Sequence, residues 1–490
     1  MAMVCQHCDN SDIIIDDPQD IERISCSDSS LCKFCVELAN LNNAIDRLEM
    51  KRQVLDRKIN RNHSLFIRTI PPEIIAKISG FAITNFAIRG RSLFAPILLS
   101  SICSDWRRAV VGTPELWSSI EIDLSRTYGK SILLRLATYI DEWLSRSGQL
   151  PLNITFCYEG THQHTWRLIE WSRPVFTILN RYSSRWHSLN IISLPLPLLT
   201  FLRPDCLPLL EQFHLKVYGY GRDVEFPPSP CLKRVKIYET LESPDIGIQW
   251  DTVTHVSVER IPSRNCFALL RLCPNLVHCT FGINDNINIS SRPLESPIVS
   301  SLTYLSLRHK RDKSRFFDNI KLPCLETLVL LNVITDPVIP FIKRSACSLH
   351  TLSLLEWHFR KTDKLLPILQ YLSPSLKRLA ISRSTSPIQA TKNYLSILTR
   401  IYASQSGVVE DDFLPHLEIF EYREESPSTL ESSMLSNLPS PSRNYTKPAT
   451  TSISLRSAYI NLASIIDKDI PHDISVILQH LEKDGILTYT

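Results

Sequence analysis

The sequence predicts an α/β solenoid behind a helical N-terminal quarter, so the chain as a whole mixes α+β and α/β character. Three observations predict it. A Leu-x-x-Φ-x-Φ unit (Φ apolar) recurs from residue 186 onward, a heptad pattern fills 34–63, and two amphipathic helical stretches occupy 64–117. At 490 residues the chain exceeds one ordinary core.

The repeat carries most of the fold. Its rungs are Trp186/Leu189/Ile191, Leu210/Phe213/Leu215, Leu232/Val235/Ile237, Val253/Val256/Val258 and Leu276/Cys279/Phe281. They continue as Leu302/Leu305/Leu307, Leu325/Leu328/Leu330, Leu349/Leu352/Leu354, Leu376/Leu379/Ile381 and Leu417/Phe420/Tyr422. From Phe213 to Leu379 the middle residues advance by 22, 21, 23, 26, 23, 24 and 27. Such steps suit leucine-rich repeats, in which one short strand per repeat stacks beside the next and the inward Φ residues form a continuous core. A proline two residues before the first Φ recurs at 208, 230, 274, 323, 374 and 415, where it fixes an extended approach to the strand. The asparagine usual at the repeat's turn is mostly absent, so the predicted horseshoe is irregular.

Helical connections are expected over 266–273, 337–345, 364–372 and 394–404. Before them, 117–124 and 150–156 alternate as strands around an amphipathic helix at 130–145, giving the first, atypical rungs. Residues 424–452, rich in Ser, Pro and Thr, form a predicted flexible insertion. A strand at 452–455 and helices at 458–466 and 473–481 are expected to cap the core within 453–490. The solenoid proper is placed at 118–423.

Upstream, Leu38, Leu41, Ile45, Leu48, Leu55 and Ile59 form a heptad seam over 34–63, uninterrupted by Gly or Pro, with Arg52 in its one non-apolar slot. Such a helix either pairs with a second copy, as a homodimer, or folds back on its own chain. Residues 1–33 are acidic and irregular. Cys5/Cys8 and Cys32/Cys35 are two C-x-x-C pairs that could hold a structural zinc, though their separation is wide and no glycine opens either turn; otherwise no cofactor is expected.

Composition narrows function. Net charge is +4, from 54 basic and 50 acidic residues, too balanced for the basic stripe of a nucleic-acid binder. Glycine is scarce, 12 in all, and no phosphate-cradling glycine loop, nucleophile elbow or H-E-x-x-H helix occurs. His162 and His164 have no carboxylate motif beside them. A non-catalytic protein is expected. With no apolar span and no secretory start, a cytoplasmic or nuclear location away from membranes is expected.

The segment 64–117 carries the most specific signal. Ile70-Pro71-Pro72-Glu73-Ile74-Ile75 opens a helix whose stripe continues through Ile78 and Phe81. After an insertion at about 82–96, residues 98–111 read as a second amphipathic helix, and Pro114-x-Leu116-Trp117 closes the segment. The order Pro71-x-Glu73-Ile74-Ile75, then Cys103-x-x-Trp106-Arg107, then Pro114-x-Leu116-Trp117 resembles the F-box. With the heptad helix before it and weak repeats after it, the chain resembles a large fungal F-box group. That resemblance implies docking to a Skp-type adaptor through Pro71, Ile74, Ile75, Ile78, Phe81, Ile102 and Trp106. The adaptor in turn bridges to a cullin–RING complex, and the solenoid would hold a target for ubiquitin transfer. The alternative is an interaction scaffold that does not lead to ubiquitination. Target contacts are expected on the concave strand face, at Lys216, Arg234, Lys236, Tyr238, Arg308, Leu331 and Leu355, with Trp357 nearby.

Overall fold

The computed structural model describes residues 33–63, 70–88, 95–125, 129–158, 165–218, 226–240, 247–284, 297–309, 316–331, 337–355, 365–384, 388–405, 412–425, 455–461 and 472–489. The chain forms two compact units, Met1–Thr113 and Pro114–Thr490.

In the first unit, α1 (Lys33–His63) is one continuous helix of 31 residues. At 1.5 Å per residue it is about 46 Å long. Its seam is uncovered: Leu38, Leu41, Ile45, Leu48, Leu55 and Ile59 are all between 45% and 65% exposed. Cys35 falls in the first turn of this helix. Helix α2 (Pro72–Ile88) starts where proline costs nothing, since Ile74 and Ile75 both donate to the Pro71 carbonyl at 3.0 and 3.2 Å. It runs into the expected insertion as far as Ile88. The expected single helix over 98–111 is instead two, α3 (Ala95–Ser100) and α4 (Ser104–Val111). Hydroxyls explain the break. Ser100 Oγ donates to the Ile97 carbonyl and Ser101 Oγ to that of Leu98, both at 2.7 Å, so side chains take up the last carbonyls. Cys103 is then fully extended and starts α4. Ile75, Trp106 and Ala109 form the buried centre, with Ile70, Leu99 and Cys103 packed around it.

The second unit is a parallel α/β array. Its strands are β1 (Ser119–Asp123), β2 (Leu152–Cys157), β3 (Trp186–Pro195), β4 (Gln212–Tyr218), β5 (Arg234–Thr240), β6 (His255–Ile261), β7 (His278–Ile283) and β8 (Ile298–Val299). There follow β9 (Tyr304–His309), β10 (Ile320–Lys321), β11 (Thr327–Leu331), β12 (Thr351–Leu355), β13 (Arg378–Ser384), β14 (Ile419–Glu425), β15 (Ser457–Asn461) and β16 (Leu487–Tyr489). Among the described residues, fourteen of them form one open sheet in chain order, while β8 and β10 pair separately. Every pairing is parallel, which requires each connection to return along the same side.

Register follows the repeat. Phe213 pairs with Val235, Val235 with Val256, Val256 with Cys279 and Cys279 with Leu305. The line continues through Leu328, Leu352 and Leu379 to Phe420, and the last Φ of each rung forms a second line from Leu215 to Tyr422. The first Φ residues Leu210, Leu232, Val253, Leu276, Leu302, Leu325, Leu349, Leu376 and Leu417 are all fully buried. The recurrent proline works differently from the sequence expectation. Leu210 N–H donates to Leu207 O, Leu232 to Ser229, Leu276 to Cys273, Leu325 to Leu322 and Leu417 to Leu414. In these five rungs the proline is therefore the second residue of a β-turn that the first Φ closes, a position that its fixed φ prepares.

Connections at Ser263–Leu272, Val338–Ser345, Leu365–Leu372 and Ile388–Gln405 are helical as expected, the last starting six residues earlier. The early strands and the helix Lys130–Arg146 also match. A second early helix, Thr165–Arg181, was not expected; it buries Val175, Phe176 and Leu179 despite Pro174 inside it. Trp117 belongs to this second unit, buried edge-on to Trp143 at 4.8 Å. At the C-terminus the strand lies at 457–461, not 452–455, and occupies the segment where a helix from 458 was expected. The second cap helix is present (His472–Lys483) and leads into the unexpected β16. The cap is thus two more rungs, with Phe420 paired to Ala458 and Ala458 to Leu487. All but the first two residues of the expected insertion lie outside the described residues.

Candidate functional site

Two surfaces, one in each unit, carry the residues singled out from the sequence. In the helical unit, Ile74, Ile78 and Phe81 stand four and three residues apart, so one face of α2 presents all three. They are 43%, 37% and 73% exposed, and Pro71 is exposed beside them. Ile102 is 48% exposed. Ile75 and Trp106 behave otherwise: at 2% and 7% exposure they are the unit's own core. Ile75 sits one residue round the helix from Ile74 and so faces inward, against Trp106. Leu98, 54% exposed, is an apolar surface residue that sequence reading assigned to a helix stripe without giving it a surface role.

In the solenoid, side chains alternate along each strand, so residues flanking and separating the Φ positions reach the open face of the sheet. The strand pairings set them in rows. The row between the two Φ lines runs Ser257, Thr280, Ser306, Val329, Ser353, Ala380, Glu421. Six of the seven are small or β-branched, and they floor a trough between bulkier rows. One wall is His255, His278, Tyr304, Thr327, Thr351 and Arg378; the other includes Arg308, Leu331 and Leu355. At about 4.8 Å per strand, seven strands give a trough about 29 Å long. It encloses a cavity of about 310 Å³.

The wall is ordered by stacking. His255 lies parallel to His278 at 5.3 Å between ring centroids, and His278 to Tyr304 at 3.6 Å. Burial, reinforced by the neighbouring His255, lowers the pKa of His278 to about 4. Burial and then Arg234 lower that of His255; burial and then Lys236 lower that of His214. The ladder therefore holds neutral imidazoles at neutral pH. At the far end Glu421 accepts from both Arg378 and Arg423, the latter at 3.2 Å, and the Arg423 guanidinium lies over Tyr459 at 5.1 Å. Ser382 Oγ and Arg423 Nε, both in the trough lining, are buried with no hydrogen-bond partner among the described residues.

Of the residues expected to contact a target, Arg308, Leu331 and Leu355 line this trough. Val329 and Leu331 are 6% and 5% exposed, so its middle has an apolar bed. Lys216, Arg234, Lys236 and Tyr238 lie on earlier rungs of the same face, outside the cavity. There Lys236 Nζ sits 4.6 Å from the Tyr238 ring centre. Trp357 lies outside the described residues. Sequence reading missed Arg378, Glu421, Arg423 and Ser382. They occupy the same alternating positions as the residues it found, so extending the row to later rungs would have found them.

Of the four cysteines expected to hold zinc, Cys5, Cys8 and Cys32 lie outside the described residues. Cys35 is described only as part of α1, in its first turn. Among the described residues no group of His, Cys, Asp or Glu gathers as metal ligands, and no helix is long and apolar enough to cross a membrane. No family model matches the chain, and no curated protein matches it.

Proposed function

We propose that the chain is the target-recognition subunit of an SCF-type ubiquitin ligase. The helical unit docks a Skp-type adaptor and the solenoid trough holds an extended segment of the target. The observation that carries this reading is the uncovered face of α2. A unit with so small a core exposes Ile74, Ile78 and Phe81 in one line, beside the residues that resemble the F-box, and a partner's helix is the natural cover for such a face. The chain's own contribution is proximity. It holds a target beside an activated thioester carried by other subunits, which raises effective concentration without a local catalytic group.

Burial decides the choice of test residues. Trp106→Ala would open the unit's core, whereas Ile74 and Phe81 lie on the exposed face of α2. Ile74→Asp with Phe81→Asp is expected to cost about 3 kcal/mol or more in adaptor binding, a loss of at least 100-fold, with helicity unchanged. Affinity purification followed by mass spectrometry reads the result. Adaptor and cullin are expected with the native chain and absent with the double variant. Adaptor capture by the folded variant at native level would sink the docking assignment. Adaptor without cullin would identify a scaffold that does not lead to ubiquitination.

A further inference from the structure

We infer that α1 pairs with α1 of a second copy in a parallel, in-register, two-stranded coiled coil. The helix is unbroken from Lys33 to His63, and its whole apolar seam faces solvent. Leu38, Ile45, Arg52 and Ile59 take one core position of the heptad, and Leu41, Leu48 and Leu55 the other. Isoleucine fills two of the four first positions and leucine all three second ones, and isoleucine over leucine is the combination that favours two parallel strands over three or four. Val36, Met50 and Val54 are also exposed but lie off the seam, scattered singly as on any surface.

Charge sets the orientation. The residues following the leucine core position are Asn42, Glu49, Asp56 and His63, acidic in the middle. Those preceding the other core position are Glu37, Ala44, Lys51 and Lys58, basic toward the C-terminal end. In a parallel pair these flanks face each other five residues apart, which sets Lys51 of each copy against Asp56 of the other. In an antiparallel pair each flank meets its own kind, which sets Glu49 of each copy against Glu49 of the other and leaves Asp56 opposite Asn42. Arg52 fits the same arrangement. Placed in the core, it pairs within its own helix to Asp56 at 3.7 Å, so Asp56 stands between Arg52 and the opposing Lys51. A single charged core residue also discourages larger bundles and slipped registers, in which it would meet leucine. A second copy is the occupant this pattern fits, and it brings two adaptor faces and two troughs into one particle.

Light scattering of the full chain tests the inference. The expected mass is twice 56.1 kDa. Leu48→Asp with Leu55→Asp is expected to return it to 56.1 kDa while the thermal unfolding of the solenoid stays unchanged. Orientation is read separately with Leu55→Cys under mild oxidation. Parallel pairing predicts a link between residue 55 of both copies, identified by peptide mass spectrometry, since an antiparallel pair sets residue 55 near 42. The inference is overturned by a native chain that stays monomeric to about 100 μM, a weak affinity even for a short coil. It is equally overturned by a trimer or larger, by a dimer that survives the double substitution, or by dimers that give no link between the two residues 55.

Discussion

At the scale of single residues, the open face of the solenoid owes its shape to two side-chain choices. Gly282 is one of only twelve glycines, and a Cβ there would stand 1.8 Å from the Glu259 carbonyl oxygen of the neighbouring strand. That oxygen is backbone, so the clash cannot be relieved by a rotamer change. Gly282→Ala is expected to destabilise the solenoid by about 3 kcal/mol or more, read as a lowered denaturation midpoint. His278 is the other. Its ordinary pKa of 6.5 falls to about 4 in the folded chain, mainly by burial. Between those values the unfolded chain binds the proton and the folded chain does not, so stability rises with pH there. The contribution is complete above about pH 6.5 and is lost as pH falls toward 4; the full shift is worth about 3 kcal/mol, which solvent screening at this partly exposed ring cuts to about 2 kcal/mol. His278→Phe keeps a flat ring beside Tyr304 without a titrating group. It is expected to show a shallower fall in melting temperature from pH 7 to pH 5 than the native chain. An equal fall in both proteins would show that the imidazole contributes nothing over that range.

At the scale of elements, legibility tracked whether a residue's local role matched its composition. Rungs such as Leu325/Leu328/Leu330 were plain because every Φ is a large apolar residue, and each is buried in register with its neighbours. The rung Leu455/Ala458/Ile460 was missed because its middle position holds only alanine, too weak a signal against a run of serines and threonines. Thr165–Arg181 was missed because Pro174 argues against a helix, while Val175, Phe176 and Leu179 gain enough burial to override that local cost. The break at Ser101–Cys103 was hidden because the apolar spacing continues across it; only the serine hydroxyls end α3. Gly485 marks the return into β16. Its φ of 65° ends the last helix, with Ile486 N–H donating to Leu481 O at 2.9 Å. The same rule separates site residues. Ile74 and Ile75 are identical in chemistry, and only the geometry of α2 sends one outward and the other into the core.

At the scale of the whole solenoid, the trough is a property of stacking rather than of any one repeat. No rung contains it: each supplies one floor residue and two wall residues, and parallel register aligns them over seven strands. An occupant lying across the strands would meet neutral stacked rings at one end, Val329, Leu331 and Leu355 in the middle, and the Arg378–Glu421–Arg423 group at the other. A long, shallow site of this kind suits an extended peptide better than a compact ligand. Blocking the floor tests this with least damage to the core. Ser306 points to the open face and is only half-buried, so Ser306→Trp puts a large ring into the trough while the Φ lines beneath stay intact. Charge reversal at Lys216, Arg234 and Lys236 tests the earlier rungs, which lie on the same face beyond the cavity. Proximity labelling compares both variants with the native chain, and adaptor capture serves as the check that each still folds. Ser306→Trp is expected to lose the native target set and the triple reversal to keep most of it, because the trough rather than the basic stretch supplies the enclosed contact area. Loss with the reversal alone would move recognition to the basic rungs and favour an acidic partner. Retention by both would remove the open face of the sheet from target binding altogether.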